Sequence, residues 1–210
     1  MGEQVSIVER KQRQKESLRQ QILDASREIL LTKGYAYLSM RRIAELIEYS
    51  PTTIYFYFKN KEDILYHLSV EALERQLEFI SAATCSENSP LLRLRRAMRA
   101  YIDFGLSEPD RYKIIYMADI SQFVSSVSIL EEGGPANKLR DLLRNRVNDI
   151  LAESRSTLDQ DIVIQCLWAH IHGIVALLIG RPDFPWVDHD ALIETGLDIS
   201  LSGLAVQSTR

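Results

Sequence analysis

The chain has 210 residues and 24.1 kDa, with 46% apolar residues, 26% charged residues and a formal net charge of −4. That length allows one large domain or a small domain joined to a larger one, and the mixture is that of a globular protein rather than a disordered or fibrous one. The most apolar stretch, Ile171 to Ile179, is broken by His172 and Gly173, so no membrane-spanning helix and no membrane partner are expected.

No cleavable apolar segment opens the chain, which makes a cytoplasmic location the expectation. Met1 to Ser6 fits the acylation pattern Met-Gly-x-x-x-Ser, but the pattern is loose and one acyl chain anchors weakly. Cys85, placed in a loop, and Cys166, placed in a buried helix, are expected as free thiols. Charge is distributed unevenly: up to Tyr66 there are 11 Lys and Arg against 9 Asp and Glu, and from His67 onward 14 against 20. The basic excess gathers in Arg10, Lys11, Arg13, Lys15 and Arg19, so an anionic partner is expected at the N-terminal end alone.

Helical periodicity runs almost throughout and alternation of period two is nearly absent, so the fold class is all-α, with about nine helices. A first helix is predicted over Arg13 to Lys33, stopped by Gly34. Ser39 caps a second through Ile47, with Met40, Ile43, Ala44 and Ile47 inward. Ser50 and Pro51 open a third through Tyr57. Asn60, with Asp63 as capping-box partner, opens a fourth that continues to about Ala83. Ser89 and Pro90 launch a helix through Leu106, and Glu108 to Asp110 begin another with Tyr112, Ile115 and Tyr116. Glu131 to Pro135 reads as a linker. Helices near Ala136 to Glu153, Leu158 to Ile179 and His189 to Val206 complete the chain. The predicted domains are 1–60, a basic arm with a three-helix unit, and 61–210, a larger helical domain.

The segment "SPTTIYFYF" from Ser50 to Phe58 is dense in rings. On a wheel of about 100° per residue, Ile54 and Phe58 share the inward face, Thr52, Thr53 and Phe56 point outward, and Tyr55 and Tyr57 project to the sides. Two short helices joined by a tight turn at Glu48 to Ser50 have the layout of a helix-turn-helix, whose second helix offers its first residues to the major groove. A threonine suits base reading, because its hydroxyl donates or accepts and its methyl touches a thymine methyl. Tyr55, Tyr57, Ser50 and Lys61 are placed for phosphates, with Ser39, Arg41 and Arg42 beside them on the second helix.

The block Leu38 to Leu65 resembles the TetR family of bacterial transcriptional regulators, with Ser39, Ile43, Ala44, Ser50, Ile54, Tyr55, Tyr57, Phe58 and Lys61 on the family pattern in one register. The family commonly has Gly and Val where Glu48 and Tyr49 stand, and often an acidic residue where Arg42 stands. "LWAHIHGIVAL" resembles the Trp-x-x-x-His-Gly signature of one subgroup's C-terminal domain. The resemblance implies a homodimer on a pseudo-palindromic double-stranded DNA operator, paired through its last two helices, and repression relieved by a small-molecule effector.

The residues add independent reasons for pairing. Leu158 to Ile179 is apolar nearly all round, and Gly196, Ser200 and Gly203 form a small-residue strip beside Leu197, Leu201 and Leu204. Leu167, Ile171, Ile174 and Leu178 join these as the predicted interface, with intrachain packing as the alternative. Tyr101, Phe104, Tyr112, Tyr116, Met117, Phe123, Trp168 and His172 are the effector candidates, although aromatics at helical spacing also serve simply as core. Cys166 and His170 share a helix face without a third ligand, so no metal or other cofactor is assigned. No catalytic motif stands out, so no enzymatic activity is assigned. Arg93 to Arg99 reads as a solvated face with acidic partners, or as a second nucleic-acid surface. An interaction platform that binds DNA without an effector is the alternative function.

Overall fold

The computed structural model describes residues 7–85, 87, 89–118, 132–153 and 157–205. Among them are nine α-helices and no strand. They divide into two compact units, the first running to Glu71 and the second starting at Ala72.

In the first unit, α1 (Ile7–Lys33) begins at Ile7 rather than Arg13. Its first turns carry no apolar stripe, so periodicity misses them, yet no Gly or Pro interrupts the backbone between the two points. Arg10, Lys11, Arg13 and Lys15 therefore ride on exposed helix and not on an extended arm. Gly34, at φ 81°, stops the helix and leads into a 3-10 turn at Tyr35–Tyr37. Next come α2 (Met40–Leu46), α3 (Pro51–Tyr55) and α4 (Lys61–Thr84). Ile22, Leu23, Leu38, Ile43, Ala44, Ile54, Phe58, Ile64 and Leu65 are all buried and make this unit's core.

The second unit is built on α5 (Pro90–Ser107), which packs against α6 (Pro109–Tyr116), α7 (Pro135–Glu153), α8 (Gln160–Gly180) and α9 (His189–Ala205). Its core draws Ile102, Phe104, Tyr112, Val147, Ile171, Val175 and Leu197 together. The predicted start of α5 holds, with Ser89 Oγ accepting from the Leu92 N–H. That of α8 moves to Asp159, whose carboxylate accepts from the Ile162 N–H at 3.0 Å. Arg95 pairs with Glu194 and Asp198, and Arg99 with Asp103, Asp190 and Glu194, tying α5 to α9. Hydrogen bonds from Arg99 and Arg95 hold the Glu194 carboxyl below the usual carboxylate range. Arg96 pairs with Glu87 at 3.1 Å, so three of the arginines in the run Arg93 to Arg99 meet the acidic partners expected of them.

α8 is longer and more apolar than the broken run Ile171 to Ile179 suggests, 21 residues with a stretch of 18 at a mean hydropathy of 2.1, a composition that a core helix shares with a membrane-spanning one. Packing accounts for part of this composition: Val163, Leu167, Ile171, Val175 and Leu178 fill the core, while Ile162, Trp168, Ala169 and Leu177 remain exposed. Cys166 lies on this outer side too, an exposed thiol and not a buried one.

Candidate nucleic-acid interface and buried ring cluster

The turn between α2 and α3 is fixed by backbone hydrogen bonds. Tyr49 N–H donates to Ala44 O at 2.9 Å and Glu48 N–H to Glu45 O at 3.4 Å, the paired bonds of a Schellman ending. Such an ending needs a left-handed residue, and Glu48 supplies it at φ 60°. Glu48 is the one described non-glycine residue with positive φ. The chain therefore takes the ordinary turn shape with a residue that is strained in it.

Ser50 then caps α3, its Oγ accepting from the Thr53 N–H at 3.1 Å and lying 2.8 Å from Thr53 Oγ1. Ile54 and Phe58 are buried beneath, as the helical wheel requires. Above them Thr52 is exposed and Thr53 half-buried, while Tyr55 and Phe56 are 57% and 81% exposed and Tyr57 is half-buried at the side. The helix itself ends at Tyr55, so Tyr57 and Phe58 sit on its closing turn.

Two of the flanking cations, Arg42 and Lys61, are held against rings. Ser39 caps α2 by accepting from the Arg42 N–H. Arg42 Nη1 donates to Tyr37 O at 2.9 Å and its guanidinium lies 4.4 Å from the Tyr37 ring centre. Lys61 Nζ stands 3.9 Å over the Tyr35 ring, and the Tyr35 hydroxyl donates to Glu62 at 2.8 Å. Burial and Glu62 push that hydroxyl's pKa up to about 12. Arg41 Nε pairs with Glu45 at the surface. At the head of α4, Asn60 accepts from the Asp63 N–H and Asp63 reaches back to the Lys59 N–H. Tyr35 and Tyr37 escape sequence reasoning, although two rings directly after a helix-ending glycine are a usable signal.

In the second unit, five of the eight effector candidates meet. Trp168 Nε1 donates to the Tyr101 hydroxyl at 3.2 Å, which is 3.2 Å from the Tyr112 hydroxyl, which is 2.6 Å from His172 Nδ1. Burial lowers the His172 pKa and favours its neutral ring, and Trp168, which can only donate, fixes one end of the chain. Burial raises the Tyr101 and Tyr112 hydroxyl pKa values, keeping both protonated. Tyr116 lies 4.9 Å from the Tyr112 ring centre and donates to Gln76 Oε1 at 2.7 Å. Phe104 stands apart from this chain, edge-on to Phe79, and Met117 is exposed at the end of α6. Phe123 lies outside the described residues.

Most of the predicted interface residues are already covered within the chain. Leu167, Ile171, Leu178, Gly196, Leu197, Leu201 and Leu204 are buried in their own unit, Ile174 and Ser200 are half-buried, and Gly203 is exposed. At Gly196 an added Cβ would lie 3.1 Å from His170 Nε2 and Ile174 Cδ1, so this glycine serves the contact between α9 and α8 of one chain. The apolar positions left facing outward include Ile162, Cys166, Trp168, Ala169 and Leu177 on α8 and Ile199 on α9.

A capped short helix that exposes its first turn above the buried Ile54 and Phe58, with Arg42 and Lys61 beside it, has the build of a DNA-binding helix-turn-helix. Residues 22–68 match the family described as bacterial regulatory proteins, tetR family, and residues 94–199 match the tetracyclin repressor-like C-terminal domain. The chain belongs to the tetR family and is a DNA-binding transcriptional regulator, not an enzyme. It is 39% identical over 66 residues to the fatty acid metabolism regulator protein of Bacillus subtilis (strain 168), a match covering 31% of this chain and 34% of that protein. The fold is similar to that of PfmR, a TetR family transcriptional regulator from Thermus thermophilus, with TM-score 0.69 and 20% identity over 86% of this chain and 97% of the other. It is likewise similar to the fatty acid degradation regulator FadR from Bacillus halodurans, with TM-score 0.66 and 20% identity over 87% and 94%.

Proposed function

We propose that the chain is a dimeric cytoplasmic repressor that binds a pseudo-palindromic operator through α3 and leaves it when a small molecule occupies the second unit. Residues 1–60 read DNA; residues 61–210 take the effector and pair the protomers. The observation that carries the reading is the division of α3, with Ile54 and Phe58 buried while Thr52, Tyr55 and Phe56 stand in solvent. Thr52 and Thr53 read base edges, Phe56 meets a thymine methyl, and Tyr55, Tyr57, Ser50, Lys61, Arg41 and Arg42 hold phosphates. Pairing uses the outer stripe of α8 and α9, Ile162, Cys166, Ala169, Leu177, Ile199 and Gly203, because the inner stripe is already occupied. Two of the relatives carry fatty acid metabolism or degradation in their names, which makes an apolar effector the first class to test.

The test is selection of operators from random DNA, followed by binding measurements over a range of salt. Thr52→Ala should lose about 1 to 3 kcal/mol of discrimination at one base pair, while Lys61→Ala should weaken all sequences alike and lower the salt slope by about one. Equal effects of the two changes on selected and random DNA would remove these roles. A second reading, an interaction platform without an effector, is favoured by the way Trp168, Tyr101, Tyr112 and His172 satisfy one another. Release of operator by any small molecule decides against it.

A further inference from the structure

Arg146, on α7, is the only charged residue buried among the described residues, at 9% exposed. Its Nη2 donates to Thr84 Oγ1 at 2.6 Å, and its Nη1 has no hydrogen-bond partner. No carboxylate among the described residues pairs with it, whereas Arg75, Arg95, Arg99 and Arg144 of the same unit all meet Asp or Glu. A guanidinium cannot shed its proton at neutral pH, so a buried one keeps its charge and needs an opposite one. The nearest compensation is weak: Thr84 is the last residue of α4, whose end carries only a fraction of a negative charge. Arg93 makes matters worse, its charge adding to burial in pressing the Arg146 pKa downward.

A second unmet donor lies along the same face of α4. Gln76, Ile80 and Thr84 recur at intervals of four and are all buried. Gln76 is fully buried, with its Oε1 taken by Tyr116 and its Nε2 unpartnered. Eight residues of helix put it about 12 Å from Thr84. Along this stripe the chain therefore offers a neutral donor at one end, apolar Ile80 between, and an uncompensated cation at the other.

We propose that Arg146 anchors an oxyanion, the carboxylate or phosphate head of an otherwise apolar small molecule whose body lies along Ile80 toward Gln76. This rests on the reading that the second unit takes an effector, and it names the effector's class as an amphipathic acid. The fork of Nη1 and Nη2 suits two oxygens of one head group, and Thr84 holds the guanidinium in place before the ligand arrives.

The test uses the full chain, with octanoate, octyl phosphate, octanol and inorganic phosphate as probes, reading melting temperature and binding. One or both amphipathic acids should bind saturably and raise the melting temperature, while octanol and inorganic phosphate do less. Arg146→Met should weaken the acids by about thirtyfold or more. The ligand-free variant should melt no lower than the parent, because an unpaired buried charge has been replaced by an apolar chain of similar length. Arg144→Met, which changes a surface arginine of the same helix, should leave acid binding intact. The proposal is overturned if neither acid stabilises the parent, if both bind Arg146→Met equally well, or if Arg146→Met melts lower or does not fold. Operator release is scored separately. Acids that bind without releasing DNA keep the site and remove the effector reading. Release by octanol with no acid binding does the reverse.

Discussion

The two units use the same residue types in opposite ways. Around α3 the rings Tyr55 and Phe56 stand in solvent above a floor of Ile54 and Phe58, whereas Tyr101 and Tyr112 turn inward and bond through their hydroxyls. The difference follows from helix geometry. A five-residue helix with its closing turn offers one buried pair, Ile54 and Phe58, and leaves most of its other side chains facing out. The 18-residue α5 is packed by four neighbours, and a tyrosine buried there must find a partner for its hydroxyl. Exposed rings await a partner molecule, and buried ones set the shape of the core.

The largest expected effect comes from the tightest point of that core. An added Cβ at Gly105 would overlap Val175 Cγ1 and come within 3.0 Å of Tyr112 Cδ2. Val175 is fully buried and stiff at χ1, so it cannot turn aside. Gly105→Ala should cost about 1 to 3 kcal/mol, read by denaturation at fixed protomer concentration, and an unchanged midpoint would show that α5 and α8 sit further apart. Next comes a matched pair of ring changes. Tyr112→Phe removes the hydroxyl shared by Tyr101 and His172 and should cost about 1 to 3 kcal/mol of stability with DNA affinity little changed. Phe56→Ser should stay within about 0.5 kcal/mol in stability yet lose operator affinity. If the two exchanged their effects, the contrast between outward and inward rings would be wrong.

Local chemistry made much of this readable from the sequence. Ser39, Ser50, Asn60 and Ser89 cap the helices they were expected to cap, because an N-cap needs only its own side chain and the next three residues. The facing of Ile54 and Phe58 followed from period alone. What was not readable depended on distant partners. An all-apolar α8 does not say which side meets its own chain, so Leu167, Ile171 and Leu178 were assigned to a partner although their own unit covers them. Gln76 and Arg146 look like ordinary surface residues until Tyr116, 40 positions on, and Thr84, 62 positions back, bury them.

A smaller effect sharpens the first unit. Glu48 holds a left-handed turn position at φ 60° that glycine occupies without strain. Glu48→Gly should therefore stabilise the chain by about 1 kcal/mol, with the loss of backbone freedom on folding offsetting part of the relief. A fall in stability would mean that Glu48 makes a compensating contact.

The smallest effect compares one histidine from each unit. His67 Nδ1 accepts from Arg19 Nη2 at 3.0 Å, and burial, reinforced by the Arg19 charge and opposed by Asp63, lowers its pKa; burial alone lowers that of His172. With both folded values depressed, the unfolded chain takes up protons first as pH falls through about 6.5. Stability should be full above that point and decline below it until each folded histidine titrates in turn. His67→Asn and His172→Asn, which keep an acceptor near the Nδ1 position, should each flatten part of the slope between about pH 7 and the folded values. Melting temperatures that rise on acidification over this range would mean that the rings are held protonated. The Tyr112 hydroxyl would then accept from His172 and donate to Tyr101, while Trp168 still donates to Tyr101.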